Sequence, residues 1–256
     1  MSLVVAITNQ KGGVGKTTTA VNLSAALAAE GKRTLLIDMD PQANAASGLG
    51  ITVARGSSLY PVMIGTASIM DQIQPTRFPH LFHIPAEVDL AGCEVEIARE
   101  ENPLAKLREV IRPLRECNEM DYILLDCPPS LGILMTNSLA AADGLIIPVQ
   151  CEFYALEGIT KILDLIEKMK DQSINPTLRV IGVLMTMYDA RTRLSEQVAQ
   201  ELRQHLPDSV FHTIIPRSIR LSEAPSFGQP ITEYDPTGVG AAAYRQLAAE
   251  FIRRTS

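Results

Sequence analysis

"NQKGGVGKTTTA", residues 9–20, decides how the rest of the chain is read. The ordinary phosphate-binding loop has the form G-x-x-x-x-G-K-[ST] and lies between a strand and a helix, so that backbone N–H groups wrap phosphate oxygens. Gly15, Lys16 and Thr17 supply the second half of that pattern, but Gln10 stands where its first glycine belongs. Two further glycines, Gly12 and Gly13, are present instead, and a second lysine, Lys11, precedes them. The flanks fit the loop. Leu3 to Ile7 is an uncharged, largely β-branched apolar run, as a buried parallel strand requires. Thr17 to Ala29 is rich in Ala and Leu and reaches Gly31, a helix stop. A triphosphate would therefore rest on a helix N-terminus, where unpaired N–H groups and the dipole favour anions.

Further along, strand-like runs recur at 34–37, 81–84, 122–125, 144–149, 179–185 and 210–215, separated by helix-period segments such as Leu156 to Met169 and the four-residue spacing of Leu194, Val198, Leu202 and Leu206. This alternation predicts an α/β fold with a mostly parallel twisted sheet and helices on both faces, which together with the loop at 9–20 is the phosphate-loop nucleoside triphosphatase type. Ligands of such sheets bind at the carboxyl ends of the strands. Aspartates sit at two of those ends: Asp38 and Asp40 in "LLIDMDPQAN", and Asp126 in "YILLDCPPS". An aspartate closing an apolar strand in a phosphate-loop protein is a partner for Mg²⁺, a role that suits Asp126. If the second strand continues past Asp38, both Asp38 and Asp40 leave on one face.

Composition limits the alternatives. The chain has 256 residues, 46% of them apolar, and no Pro-, Gly- or Ser-rich linker, so residues 1–256 are read as one domain. No apolar run approaches the roughly eighteen residues of a membrane span, and the start lacks a signal-type segment, which places the protein in the cytoplasm. Cys93, Cys117, Cys127 and Cys151 show no C-x-x-C pairing and read as reduced thiols. Net charge is −6, yet its distribution is uneven: 15 basic and 21 acidic residues in 1–184, 8 and 8 in 185–256. A local basic patch remains available in the last third.

Together "KGGVGKTT", "LLIDMDPQAN", "DYILLDCPPS" and "IIPRSIRLSEAPSFGQPI" resemble the ParA/Soj partition ATPases, over almost the whole chain. The first motif is shared with the wider deviant-loop group, including septum-site MinD ATPases and nitrogenase iron proteins; the later stretches are more specific. The resemblance implies ATP and Mg²⁺ as cofactors. Lys11, Gly12, Gly13, Val14, Gly15, Lys16, Thr17 and Thr18 would line the nucleotide, and Pro216 and Arg217 its base. Lys16 would hold the β- and γ-phosphates of its own ATP. Lys11 matches the signature lysine that crosses a dimer interface to the partner's phosphates, as an arginine finger does. Thr17 and Asp126 would serve the metal, Asp40 would position the attacking water, and Asp38 would be structural or metal-supporting. Arg191 and Arg220 match residues that bind nonspecific double-stranded DNA of the nucleoid in the ATP-bound homodimer, and a ParB-type centromere-binding protein would stimulate hydrolysis.

Two other readings use the same loop. A MinD-like membrane-positioning ATPase needs a terminal amphipathic helix with a strong apolar face and lysines, whereas "AAAYRQLAAEFIRRTS" offers mostly alanine and no lysine. An iron protein needs cluster cysteines at a shared face, and the segments around Cys93 and Cys127 do not resemble those. A helix-turn-helix domain ahead of Leu3 has no room, so a sequence-specific repressor is not expected.

Overall fold

The computed structural model describes residues 2–256. Seven strands form one sheet: β1 (Leu3–Ile7), β2 (Thr34–Asp38), β3 (Gln74–Pro75), β4 (Leu81–Ile84), β5 (Tyr122–Asp126), β6 (Gly144–Gln150) and β7 (Arg179–Thr186). Their spatial order is β3-β4-β2-β5-β1-β6-β7, and every pairing except β3 with β4 is parallel. The helices in chain order are α1 (Lys16–Ala29), α2 (Asn44–Leu49), α3 (Leu59–Met63), α4 (Leu90–Ile97), α5 (Lys106–Val110), α6 (Arg112–Cys117), α7 (Ile133–Ala141), α8 (Ala155–Asp171), α9 (Arg193–His205), α10 (Ile219–Glu223), α11 (Ile231–Tyr234) and α12 (Val239–Thr255).

The two-residue period of the strands divides the core. Val4 and Ala6 of β1 point to one face, with Leu35, Ile37, Leu125 and Ile147, and pack under helices that include α4, α5, α7 and α8. Val5 and Ile7 point to the other, with Leu36, Leu124 and Ile146, beneath α1 and α12. Helix α1 packs on the sheet and against the neighbouring α12, so all of Thr19 to Ala28 is buried. That close approach explains its alanines. Helix α12 spends Tyr244, Leu247 and Phe251 on the same core, each no more than 1% exposed, a stronger inward face than the sequence suggested. No helix among the described residues is long and apolar enough to cross a membrane.

Two details differ from the sequence reading. β3 is too short, and too marked by Pro75, to be visible as a strand; it pairs antiparallel at the sheet edge, where proline is tolerated. The run 210–215 is not a strand. It lies along β7 with three ladder bonds, Val183 N–H to the Ser209 carbonyl (2.7 Å), Phe211 N–H to Val183 (2.9 Å) and Ile215 N–H to Met185 (2.9 Å). Between them the His212 and Thr213 amides donate instead to the Glu250 carboxylate of α12, at 2.8 and 2.9 Å. The ladder is broken because a buried side chain takes those donors.

Candidate nucleotide site

The loop of residues 8–15 leaves β1 at the carboxyl edge of the sheet, with β5 on one side and β6 on the other. Gly13 and Gly15 have φ of +74° and +88°, which glycine adopts without strain. Side-chain hydrogen bonds tie the loop to itself and to β6 and β7. Asn9 Nδ2 donates to the Pro148 carbonyl at 2.7 Å, Asn9 Oδ1 accepts from the Lys11 N–H, and Thr186 Oγ1 of β7 donates to the Val14 carbonyl at 2.8 Å. Asn9 and Thr186 carry no loop signature, so motif reading passed over them. A methyl group placed on Gly12 or Gly13 would meet nothing within 4 Å, so packing inside this chain does not require small residues there.

The two lysines sit in different environments. Lys16, 7% exposed, donates from Nζ to the Lys11 carbonyl at 3.0 Å; burial lowers its pKa, opposed by the nearby carboxylates of Asp126 and Asp40. Lys11 lies at the outer rim and pairs with Glu152, the residue after Cys151 in the turn that follows β6. Sequence reading did not single out Glu152.

Asp38 and Asp126 are paired across β2 and β5, both fully buried. The strand ends at Asp38, so Asp38 and Asp40 do not leave together on one face. Asp38 instead accepts the N–H groups of Asp40 (2.9 Å) and Ala45 (3.2 Å), which fixes the turn into α2. Burial raises its pKa well above the carboxylate range, and the neighbouring Asp126 charge adds to the rise. Asp40 is left half-exposed, its Oδ1 accepting from Gln42 N–H, in a groove it shares with Glu94, Pro128 and Pro129. Asp126 is the most unusual group. Among the described residues neither carboxylate oxygen has a hydrogen bond of good geometry; burial pushes its pKa up to about 7, the Asp40 charge adding to the rise, while the nearby Thr17 hydroxyl and the Lys16 ammonium draw it down. A buried carboxylate with free lone pairs beside a threonine hydroxyl is a donor set suited to a hard divalent cation. Burial also pushes the adjacent Cys127 thiol up to about 12, so it stays protonated.

Beside the loop lies a cleft of about 280 Å³ whose wall includes Gly15, Thr18, Pro216, Arg217, Ser218 and Tyr244. Residues 215–217 reach it because Tyr188 bridges Pro216 and the Arg217 N–H donates to the Tyr188 carbonyl. That bridge also carries the arginines. Arg191 precedes α9, whose cap is Thr192, and makes a bidentate pair with Asp189 at 2.9 and 2.7 Å. Arg217 stands close enough to help hold the Asp189 carboxyl down at about 2, after the larger effect of Arg191 itself. Arg220 on α10 pairs with Glu223 and lies over the Tyr234 ring. Arg191, Arg217 and Arg220 are all exposed, and Arg191 and Arg220 each carry a local counterion.

Residues 2–180 match the AAA domain family. The chromosome partitioning protein ParA of Caulobacter vibrioides is 49% identical over 98% of this chain and 94% of its own length. The chain belongs to the ParA/Soj family. The chromosome-partitioning ATPase Soj of Thermus thermophilus is 50% identical, covering 98% and 95%. Among solved structures, a cobyrinic acid a,c-diamide synthase of Mycobacterium smegmatis with bound ADP and magnesium superposes with a TM-score of 0.86 at 33% identity, covering 100% and 96%. This ParA/Soj protein is thus an ATPase with the phosphate-loop fold, and Asp126, Lys11 and Lys16 lie at or just beyond the carboxyl ends of its parallel strands β1 and β5.

Proposed function

We propose that this ATPase is a DNA-partition motor whose single domain spans residues 1–256, and that Mg-ATP drives two copies into a sandwich dimer. Lys16 holds the phosphates of its own nucleotide. Lys11 exchanges Glu152 for the phosphates bound by the partner, and Gly12 and Gly13 let the two backbones approach. Thr17 and Asp126 would hold Mg²⁺, which when bound offsets charge on the β- and γ-phosphate oxygens. Asp40 orients the water that attacks the γ-phosphate, and Pro216 and Arg217 receive the base in the cleft beside Gly15. The observation that carries this reading is the contrast between a buried lysine aimed at its own loop and a rim lysine held by a replaceable carboxylate.

In the dimer, Arg191 and Arg220 of both copies bind duplex DNA through phosphates, without sequence preference, in the cytoplasm on the nucleoid. Pairing doubles a patch that is too weak alone in a chain of net charge −6. A ParB-type centromere-binding protein stimulates hydrolysis and thereby releases the ATPase from DNA.

The experiment is size measurement by light scattering of Asp40→Ala with and without ATP, followed by salt titration of its DNA binding. The reading expects an ATP-dependent dimer and a log–log salt slope of roughly −0.9 per phosphate neutralised. Arg220→Ala should flatten that slope equally for unrelated sequences. A monomer with ATP, or recruitment to anionic liposomes in place of DNA, would overturn it.

A further inference from the structure

Arg77 belongs to none of the motifs above, yet it joins three parts of the molecule. It lies in the turn between β3 and β4, where its Nη1 donates to the Leu49 carbonyl at the end of α2 (2.9 Å). Nη2 donates to the Gly228 carbonyl (2.7 Å) and, with Nε, forks onto the Glu233 carboxylate of α11 at 2.5 and 3.4 Å. The guanidinium also lies over its neighbour Phe78, 4.6 Å from the ring centre. A planar fork filling four acceptor positions is a task lysine cannot perform.

The two backbones Arg77 bridges are already in contact. Gly50 and Gly228 have φ of +68° and +64°, and a methyl group on Gly228 would stand 2.6 Å from the Gly50 Cα. Helix α2 begins from the turn fixed by Asp38, one residue after which Met39 leads to Asp40. The segment 219–234 carries Arg220, whose partner Glu223 also accepts from the Tyr234 hydroxyl at 3.0 Å. That segment has a second attachment, since the Ile231 N–H donates to Asn22 Oδ1 of α1 at 2.6 Å and Asn22 Nδ2 donates to the Thr18 carbonyl. The arginine-bearing segment thus hangs from the phosphate-loop helix through Asn22 and, through Arg77, from the far end of α2, the helix that starts at the aspartate turn.

We infer that Arg77 is a positioning residue that ties the placement of Arg220 to the state of the Asp38–Asp40 turn, so that ATP alters DNA affinity through α2 and the Gly50–Gly228 contact. The inference rests on the DNA-binding reading above for its effect on affinity, but the mechanical tie can be tested without it. Coupling between two sites is a free energy that a joint of this kind can carry when both ends move as packed units.

The test compares wild type, Arg77→Lys and Glu233→Gln, with a slowly hydrolysed ATP analogue or ADP, on a fluorescent duplex of arbitrary sequence. Arg77→Lys keeps the charge and loses the fork, so a direct phosphate contact by Arg77 would survive it. The expected result is an ATP-to-ADP affinity ratio reduced about tenfold in both variants through lost analogue affinity, with ADP affinity within about twofold of wild type. Glu233→Gln carries the test if Arg77→Lys does not fold. A ratio preserved within about twofold in the folded variants overturns the inference. If wild type binds no DNA with either nucleotide, the DNA reading fails, and hydrogen exchange across 219–234 decides the tie. A change in protection on adding the analogue, present in wild type and absent in the variants, supports it; an equal change in all three, or none in wild type, overturns it.

Discussion

Replacing Asp126 by asparagine should make the nucleotide-free protein more stable at alkaline pH while removing its response to magnesium. Asp126 is wholly buried, its oxygens have no hydrogen bond of good geometry among the described residues, and burial pushes its pKa up to about 7 from an ordinary 3.8. A carboxyl group with a raised folded-state pKa holds its proton more tightly in the folded chain than in the unfolded one. Its contribution is therefore most favourable at low pH and is lost as pH rises from about 4 through 7. At about 1.36 kcal/mol per pH unit, the full difference is about 4 kcal/mol, of which about 3 kcal/mol falls between pH 5 and pH 8. The amide keeps the shape without the charge. Removing the charge also relieves Asp38, whose pKa the Asp126 carboxylate helps to raise. Part of the gain is forfeited because the new amide N–H₂ has no evident acceptor, so a net gain of about 2 kcal/mol is expected at pH 8. For a chain of this size that raises Tm by about 4–8 °C. The assay is thermal unfolding of wild type and Asp126→Asn at pH 5 and pH 8, without nucleotide, repeated with ADP and with Mg-ADP. The gap between the two proteins should shrink toward pH 5, and magnesium should add stability beyond ADP only in wild type. A variant less stable at pH 8, or an undiminished magnesium increment, would refute both the charge argument and the metal role.

Lys16→Ala should abolish nucleotide binding, whereas Lys11→Ala should retain it and lose ATP-dependent dimerisation; calorimetry and light scattering separate the two, and a Lys11→Ala dimer would end the trans assignment. Glu250→Ala leaves the His212 and Thr213 amides and Arg254 without their shared acceptor, which should cost about 2–4 kcal/mol in urea unfolding, with Glu250→Gln intermediate. Gly182→Ala places a methyl group 2.3 Å from the Phe211 ring, and should destabilise by about 1–3 kcal/mol unless that ring shifts, as Phe211→Leu in the same chain would allow. His83 is buried and its pKa is held at about 4 by burial, so the folded chain resists protonating it; stability from this group is complete above about 6.5 and falls by about 3 kcal/mol as pH drops to 4, a slope that His83→Gln should remove.

By itself the sequence determined the loop, the strand-helix alternation and the two aspartate-bearing strand ends, because each rests on local chemistry: glycines at positive φ, a period of two or 3.6, a carboxylate closing an apolar run. β1, β2, β4, β5, β6 and β7 lie where their apolar runs stand, and α1 and α8 where their patterns place them. Tertiary structure alone decided what those signals could not contain. Residues 210–215 have the composition of a strand, but two of their amides were claimed by Glu250, about 40 residues away in the chain. Asp38 and Asp40 looked like a matched pair, and the turn after β2 made one a buried backbone acceptor and the other a half-exposed side chain. The orphaned oxygens of Asp126, the carboxylate holding Lys11 and the clamp of Arg77 are likewise products of contact between distant segments. Periodicity reports which face of an element is apolar; which donor meets which acceptor is fixed only when the sheet order brings them together.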